Sequence, residues 1–317
     1  MLIVTGGAGF IGSNIVKALN ARGEKDILIV DHLKNGRKFQ NLVGLEFADY
    51  CDKTDFLERI QQPGYFKNLT GIFHQGACST TTEWDGQYMM RNNYDYSKAL
   101  YDACVREKCP LVYASSAAVY GGNQTFTEHP KFESPLNVYG YSKLRFDQWL
   151  RPRLTNSPIP VVGLRYFNVY GMNEQHKGGM ASVAFHLNSQ LKTGNTCKLF
   201  GAHEGYAAGE QKRDFVLVDD IAELNLWCFE QPDCRGIFNA GTGRAQTFND
   251  VANAVIAWHG KGELEYIDFP DHLKGAYQSY TQADLTQLRD AGYDRPFHDV
   301  ASGVARYLDQ LNQATVL

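Results

Sequence analysis

Short apolar runs alternate with amphipathic stretches over the first half of the chain. Runs rich in Val, Ile and Leu predict buried strands, whereas longer segments with apolar positions three and four apart predict helices. The predicted strands are Leu2–Thr5, Ile27–Val30, Leu45–Ala48, Gly71–His74, Leu111–Ser115 and Val161–Tyr166. The predicted helices are Ile11–Arg22, Lys53–Gln61, Met89–Glu107 and Tyr141–Leu150. Strands and helices that alternate in this way form βαβ units, so we expect a doubly wound parallel sheet.

The regular alternation ends near Tyr166. Residues 171–180 are rich in glycine and polar side chains, and the composition of residues 201–211 predicts a mobile surface loop. Asp214–Val218 and Gly236–Ala240 predict short strands that rejoin the sheet or lie beside it. The remainder has mostly helical patterns. We therefore expect an α/β fold with a smaller, discontinuous second lobe.

Composition excludes several classes of protein. The net charge of −4 among 317 residues disfavours nucleic acid as a partner, because phosphate binding requires a basic face. No apolar run approaches the length of a membrane span, and the N-terminus has no secretion signal, so we expect a cytoplasmic protein. Seven irregularly spaced cysteines without a CxxC motif indicate reduced thiols and no metal site.

A glycine-rich loop joins the first predicted strand to the first predicted helix. It reads Thr5-Gly-Gly-Ala-Gly-Phe-Ile-Gly12, and glycine allows both the tight turn and the close approach of backbone to a pyrophosphate. The helix that follows directs free N–H groups at the phosphates. Asp31 ends the second strand, 19 residues after Gly12, where a carboxylate accepts hydrogen bonds from an adenosine ribose. The loop and Asp31 together predict a bound nicotinamide dinucleotide.

The residues around Asp31 leave the choice between NAD and NADP open. Asp31 alone favours the unphosphorylated ribose of NAD. Several cationic or titratable side chains nearby are suited to neutralising the 2′-phosphate of NADP. They are His32, Lys34, Arg37, Lys38 and Lys53.

A tyrosine and a lysine four residues apart predict the catalytic centre. Tyr139 and Lys143 share one face of a helix, whereas Tyr141 lies off that face. An ammonium at ~4 Å favours the phenolate by roughly 4 kcal/mol, so we expect Lys143 to lower the pKa of Tyr139 by about three units. Ser116 follows a strand at the edge where such sheets bind ligands, and it is placed to hydrogen-bond the Tyr139 hydroxyl.

These motifs resemble the extended branch of the short-chain dehydrogenase/reductase superfamily, which has a Rossmann-type fold. The resemblance rests on Gly6-x-x-Gly9-x-x-Gly12 with Ser116, Tyr139 and Lys143. Dehydratases of this branch have an Asp-Glu pair directly after the strand-end serine or threonine. Ala117 and Ala118 occupy those positions here, which disfavours dehydration and leaves epimerisation or dehydrogenation.

Longer stretches resemble the ADP-L-glycero-D-manno-heptose 6-epimerase family of lipopolysaccharide inner-core biosynthesis. They are residues 74–86, with Glu83-Trp84-Asp85-Gly86, residues 168–171, residues 176–186, with His176-Lys177-Gly178, and residues 212–216. The resemblance implies tightly bound NADP, an ADP-heptose substrate and a homo-oligomer, a pentamer. It implies oxidation of C6″ to a ketone and reduction from the opposite face. The rotated ketone oxygen then requires a second proton donor, and the family's motif assigns Lys177 to that role.

The resemblance also assigns binding residues. Residues 1–167 plus about 212–240 are expected to bind the dinucleotide, and about 168–211 plus 241–317 the nucleotide sugar. The expected cofactor contacts are Gly6, Gly9, Phe10, Ile11, Gly12, Asp31, His32, Lys38, Lys53, Gln75, Gly76, Ala77, Cys78, Ser79, Asn92, Lys143, Val169 and Lys177. The expected substrate contacts are Asn168, Gly179, His186, Phe200, Gly201, Ala202, His203, Arg213 and Tyr277.

Some positions depart from the family pattern, and other functions stay open. Met172 stands where members usually have proline, Gly179 where serine is common and His32 where asparagine is common, and the 201–211 loop is longer than usual. An epimerase or dehydrogenase for another nucleotide sugar, such as a UDP-hexose 4-epimerase, is an alternative. A non-catalytic dinucleotide sensor is disfavoured, because Ser116, Tyr139 and Lys143 are all present.

Overall fold

The apolar runs form one parallel sheet in the computed structural model, which describes residues 1–66, 68–270 and 277–313. Its strands are β1 (Leu2–Thr5), β2 (Ile27–Asp31), β3 (Asp49–Asp52), β4 (Gly71–His74), β5 (Leu111–Ser116), β6 (Val161–Tyr166) and, later in the chain, β11 (Gly236–Ala240). The spatial order is β3-β2-β1-β4-β5-β6-β11, and every neighbouring pair is parallel. The predicted doubly wound sheet is therefore confirmed, and the segment Gly236–Ala240 joins it as an edge strand.

Helices cover both faces of the sheet. They are α1 (Phe10–Ala21), α2 (Lys53–Ile60), the short α3 (Gly86–Met89), α4 (Tyr96–Glu107), α5 (Val138–Leu154) and, later in the chain, α7 (Val218–Glu230). On one face, Ile15 of α1 and Leu224 of α7 belong to one apolar core. On the other face, Phe56, Leu100 and Phe146 pack from α2, α4 and α5. The sheet is thus buried on both sides, which is why its strands read as continuous apolar runs.

A further apolar cluster lies among later elements. These are β7 (Asn168–Tyr170), α6 (Val183–Thr193), β8 (Thr196–Phe200), β9 (Lys212–Arg213), β10 (Phe215–Leu217), β12 (Gln246–Thr247), α8 (Phe248–His259), β13 (Glu263–Ile267), α9 (Thr286–Asp290) and α10 (Val300–Gln313). Leu187 of α6, Val255 of α8 and Leu308 of α10 meet in this cluster. Such a core supports the second lobe expected from the sequence. The exact domain boundaries stay a prediction.

Three element predictions were wrong in position, one of them the helix Tyr141–Leu150, which extends over Val138–Leu154. The third strand is Asp49–Asp52, not Leu45–Ala48. Leu45 and Phe47 pack against the core from the segment before the strand, whereas the strand itself lies at the edge of the sheet and has polar residues. The predicted helix Met89–Glu107 begins instead at Gly86, and a π-helical turn over Met90–Asp95 interrupts it. An apolar count does not detect an edge strand or a π-turn, because neither leaves a strong periodic signal.

The remaining broad features concern membranes and thiols. Over residues 1–66, 68–270 and 277–313, no helix has both the length and the apolar character needed to cross a membrane. All seven cysteines are free thiols, and every one except Cys78 is buried.

Candidate active site

A cleft of about 560 Å³ runs along the carboxyl edge of the sheet. Thr5, Asp31 and Tyr166 line it from the ends of β1, β2 and β6. The parallel register brings these ends together, because Thr5 lies opposite both Val30 and His74. Every residue that the sequence assigned to the cofactor lines this cleft, and so does Tyr139. Ligands bind in this position in open α/β sheets.

The glycine loop forms a cradle that side chains would fill. Gly6 has a φ of +67°, and a Cβ atom there would lie 2.7 Å from the Gly76 nitrogen. A Cβ on Gly12 would lie 2.2 Å from the Gly6 oxygen. Helix α1 begins at Phe10 after Gly9, which provides no side-chain cap. The first N–H groups of α1 therefore remain available to an anion at the cleft.

The carboxylate of Asp31 is already engaged by the protein. It accepts hydrogen bonds from the Ala8 nitrogen at 2.9 Å and the His32 nitrogen at 2.7 Å. It also forms a buried ion pair with Lys38. Lys53 lies beyond this pair and donates to Asn92 at 2.6 Å. The acid that alone would favour NAD is therefore neutralised, and cationic side chains surround it.

Two buried polar atoms at this end of the cleft have no hydrogen-bond partner among the described residues. They are Nδ1 of His32 and the hydroxyl of Tyr96, and both residues line the cleft. Buried polar atoms are normally satisfied, so this pair indicates room for the polar groups of a ligand. Together with the glycine cradle, they show that the residues present fit a dinucleotide.

Tyr139 lines another part of the cleft, whereas Ser116 does not line it and lies beside the Tyr139 side chain. Helix α5 places Tyr139 near its N-terminus, where the Asn137 side chain caps the helix by accepting from the Gly140 nitrogen at 2.8 Å. Ser116 hydrogen-bonds the Tyr139 side chain, and its hydroxyl also accepts from the Ala118 nitrogen at 3.1 Å. Ser116 therefore both caps a turn and contacts the proposed proton-transfer group.

The predicted effect of Lys143 on Tyr139 was wrong. Burial raises the pKa of Tyr139 above its usual value, and the Ser116 hydrogen bond only partly opposes this. The ammonium of Lys143 donates instead to the Ala114 carbonyl at 2.8 Å. Burial lowers the pKa of Lys143 itself to about 8, against the attraction of Asp147. Helical spacing placed the two residues on one face but did not reveal this competing acceptor.

Lys177 enters the same cleft from a separate segment. It lies in a 3₁₀ turn over Gln175–Met180, and its Nζ is 5.2 Å from the centre of the Phe10 ring. Burial lowers the pKa of Lys177, and Glu174 opposes that shift. The cleft therefore contains both proton-transfer groups that the sequence proposed, Tyr139 and Lys177.

Four of the predicted substrate residues form a cluster elsewhere. Phe200, His203 and Tyr277 surround Phe269, with His203 stacked on it at 3.7 Å between ring centres. The guanidinium of Arg213 lies 4.7 Å from the centre of the Tyr277 ring. Arg213 is buried, which lowers its pKa. A flat aromatic surface beside a buried guanidinium suits a nucleotide base and its diphosphate.

The other predicted substrate residues are more dispersed. Asn168 is exposed at the start of β7, where its N–H donates to the Asp214 carbonyl at 3.0 Å, so it lies beside the Arg213 strand. Gly179 is exposed in the 3₁₀ turn after Lys177. His186 lies in the first turn of α6, and Gly201 and Ala202 follow β8. None of these five residues lines the cleft that contains Tyr139.

The sequence did not single out several residues of the site. They include Tyr88, Tyr96, Tyr166 and His176 in the cleft and Phe269 in the aromatic cluster. Asn93 was also missed. Its side chain joins Cys78 to Ser142 of α5, with bonds of 2.8 and 3.0 Å to the Cys78 backbone and 2.9 Å to the Ser142 hydroxyl. His176 and Asn93 each adjoin a predicted residue, whereas Phe269 has no local signal.

The fold and site first define a class: an α/β protein with a dinucleotide-type glycine cradle, with Tyr139 and Lys143 in its cleft and Ser116 beside Tyr139. A family profile described as "NAD dependent epimerase/dehydratase family" matches residues 2–241. The chain is also 59% identical over 314 residues to ADP-L-glycero-D-manno-heptose-6-epimerase of Alkalilimnicola ehrlichii, covering 99% of this chain and 98% of that protein. The chain therefore belongs to the NAD dependent epimerase/dehydratase family, and its resemblance to the ADP-heptose 6-epimerases is confirmed.

Solved structures agree with this assignment. ADP-L-glycero-D-manno-heptose-6-epimerase from Helicobacter pylori has a TM-score of 0.83 at 30% identity, covering 98% of this chain and 96% of that one. UDP-glucose 4-epimerase from Thermus thermophilus, solved in complex with NAD, has a TM-score of 0.76 at 27% identity and covers 99% of both chains. The predicted Rossmann-type fold and the assignment to epimerases, which are isomerases, are confirmed.

Proposed function

We propose that the enzyme uses NADP to interconvert ADP-D-glycero-D-manno-heptose and its L-glycero isomer at C6″, for the inner core of lipopolysaccharide. The observation that carries this proposal is that Tyr139 and Lys177 line one cleft from different segments of the chain. Inversion needs two such groups, because the carbonyl oxygen occupies a different place when each face is reduced. The 59% identical relative bears the name of this reaction.

The chain's own residues supply proton transfer and orientation. NADP, when bound, supplies the hydride acceptor and donor. Tyr139, hydrogen-bonded to Ser116, exchanges the hydroxyl proton of one epimer, while Lys177 exchanges that of the other. Lys143 is tied to Ala114 and is placed to orient the cofactor ribose. One turnover leaves the proton of the first epimer on Tyr139 and takes a proton from Lys177, so the cycle closes when a proton passes from Tyr139 through solvent back to Lys177.

The state of Asp31 supports NADP rather than NAD. Its carboxylate pairs with Lys38, and Lys53 remains at the cleft as a further cation, whereas burial lowers the pKa of His32 and favours its neutral form. A cationic site of this kind accommodates a 2′-phosphate, whereas a free carboxylate would repel it.

The aromatic cluster with Arg213 supports a nucleotide sugar as substrate. Phe269 and His203 offer stacking faces for adenine, and Arg213 has the planar fork that pairs with two phosphate oxygens at once. The turn that follows Ser116 begins with Ala117 and Ala118, and neither can act as the acid that dehydration requires.

The direct experiment is turnover of the two ADP-heptose epimers. NADP-loaded enzyme is incubated with ADP-D-glycero-D-manno-heptose, and the configuration at C6″ is followed by NMR. We expect inversion with this substrate and none with UDP-glucose. Tyr139→Phe and Lys177→Met should each slow inversion by about 10²–10⁴-fold. Absence of inversion, or full activity of either variant, contradicts the proposal.

We also infer a homo-oligomer, a pentamer according to the family resemblance. Native mass spectrometry of the purified protein is the test, with 35.6 kDa as the mass of one chain. A monomeric particle under assay conditions contradicts this inference.

A further inference from the structure

Glu174 is a completely buried carboxylate close to Lys177. It accepts a hydrogen bond from the Gly171 nitrogen at 3.2 Å. It also accepts two from Ser182, at 2.5 Å from the nitrogen and 2.7 Å from the hydroxyl. Its exposure is 0%. A buried carboxylate is expensive unless several donors satisfy it, so these bonds fix its position.

These bonds close a loop whose tip is Lys177. Gly171 and Ser182 mark the two ends of the segment, and Glu174 binds both. The Glu174 carbonyl accepts from the Lys177 nitrogen at 2.9 Å. One residue therefore holds both ends of the loop with its side chain and the start of the Lys177 turn with its backbone.

The same loop also forms hydrogen bonds with residues of the proposed cofactor-binding domain. Asn14 of α1 donates to the Met172 carbonyl at 2.8 Å, and Asn173 donates to the Ser13 hydroxyl at 3.0 Å. Asn41 lies 3.1 Å from Nδ1 of His176. These contacts join the loop to the neighbourhood of the phosphate cradle, whereas the Glu174 side chain joins the two ends of the loop to each other.

Charge near Lys177 comes from few groups. Glu174 is the ionisable group that favours the ammonium of Lys177, against the effect of burial. Burial and the nearby charge of Lys177 lower the pKa of His176. Burial and the charge of Glu174 raise the pKa of Tyr307 in α10. The carboxylate thus stabilises the protonated form of Lys177 as well as the loop that carries it.

We infer that Glu174 is a positioning residue for Lys177, holding that side chain in the reaction cleft for the second proton transfer. This inference rests on the proposed function, in which Tyr139 serves one epimer and Lys177 the other. Glu174 does not line the cleft and touches no reacting atom. Its loss is therefore expected to affect only the half of the reaction that needs Lys177.

The test measures oxidation of each epimer separately. NADP-loaded enzyme is mixed with either ADP-heptose epimer, and the appearance of reduced nicotinamide is followed by absorbance. Lys177→Met first identifies which epimer depends on Lys177. We expect Glu174→Gln to slow oxidation of that same epimer by about 10²-fold, as a displacement of about 1 Å would, and to leave the other unchanged.

Matched variants separate positioning from general damage. Glu128→Gln makes the same change at another buried carboxylate, which accepts from the Asn239 nitrogen at 2.7 Å, and it should slow neither epimer selectively. Ser182→Ala removes one of the bonds to Glu174, together with the N-cap bond from the Phe185 nitrogen at 3.2 Å, and should give a smaller loss with the same epimer. Thermal unfolding verifies that each variant is folded.

The outcomes are distinguishable. If Glu174→Gln and Ser182→Ala each slow both epimers equally, Glu174 does not position Lys177. The same conclusion follows if neither variant slows the oxidation of any epimer. Both results leave the proposed function intact. If Lys177→Met fails to distinguish the epimers, the two-base function itself fails, and this inference falls with it.

Discussion

Lys143 shows how a buried ammonium lowers the stability of the folded chain. It is buried, and its ammonium has one hydrogen bond, to the Ala114 carbonyl. Asp147 attracts it from the next turn of α5, but burial dominates and lowers its pKa from 10.5 to about 8. The folded protein therefore binds the Lys143 proton less tightly than the unfolded chain does.

Lys143→Met should change how stability depends on pH. Between about pH 8 and 10.5 the unfolded chain retains a proton that the folded protein has lost, so the free energy of unfolding rises with pH. We expect wild type to gain about 2 kcal/mol relative to Lys143→Met between pH 7 and about 9.5. Urea unfolding at both pH values measures this.

A surface lysine is the control for this measurement. Lys17→Met changes an exposed side chain of α1 and should show no such gain relative to wild type. If wild type also showed no gain relative to Lys143→Met, burial would not lower the pKa of Lys143.

At the scale of elements, α5 must approach the turn after β5 closely. A Cβ on Gly140 would lie 2.7 Å from the Ala118 carbonyl oxygen and 3.0 Å from Pro135. This contact lets Tyr139, one residue earlier, reach Ser116. Glycine is thus required here for proximity rather than for an unusual backbone angle.

Gly140→Ala should lower activity without loss of helical propensity. The added methyl pushes α5 away from the turn, and we expect kcat to fall by about 10–10²-fold because Tyr139 and Ser116 separate. Alanine is the better helix former, by about 1 kcal/mol, so a loss of activity would not reflect a weaker helix. Steady-state kinetics with the ADP-heptose substrate measures the effect.

Gly122→Ala is the matched substitution, because nothing lies within 4 Å of a Cβ there. It should retain wild-type kcat. Equal activity of both variants would show that the close approach at Gly140 does not matter for catalysis.

At the scale of the whole molecule, the cleft gathers residues from Thr5 to Met180. A dinucleotide bound there as proposed would contact the sheet, α5 and the Lys177 loop together, so its binding would stabilise the folded chain as a unit. A ligand at 100 times its Kd adds about 2.7 kcal/mol to the free energy of unfolding.

NADP should therefore raise the unfolding temperature of dinucleotide-free enzyme more than NAD does at the same concentration. Lys53→Met should reduce the shift caused by NADP and leave that caused by NAD, because Lys53 lies where a 2′-phosphate would be neutralised. Differential scanning fluorimetry is sufficient. Equal shifts with the two dinucleotides, or a variant that weakens both alike, would contradict the NADP assignment.

The sequence alone was sufficient to predict the parallel sheet, the glycine loop and the placement of Tyr139 and Lys143 on one helix that faces the cleft. These follow from local periodicity and spacing, because buried strands need continuous apolar runs and a helix turns once in about 3.6 residues. The sequence did not predict the positions of β3 and the π-turn. An edge strand and a single π-helical turn bury too few apolar side chains to leave a periodic pattern.

The charge state and the hydrogen-bond partners of the site depend on the tertiary structure. It showed that Asp31 is neutralised by Lys38 and that Lys143 is bonded to Ala114. It also showed that Phe269, which the sequence did not single out, packs against the predicted substrate residue His203. It also showed Glu174 closing the loop that carries Lys177. Burial and hydrogen bonding depend on which distant segments meet. Spacing along the chain can therefore nominate the reacting groups, but it does not fix their charge or their partners.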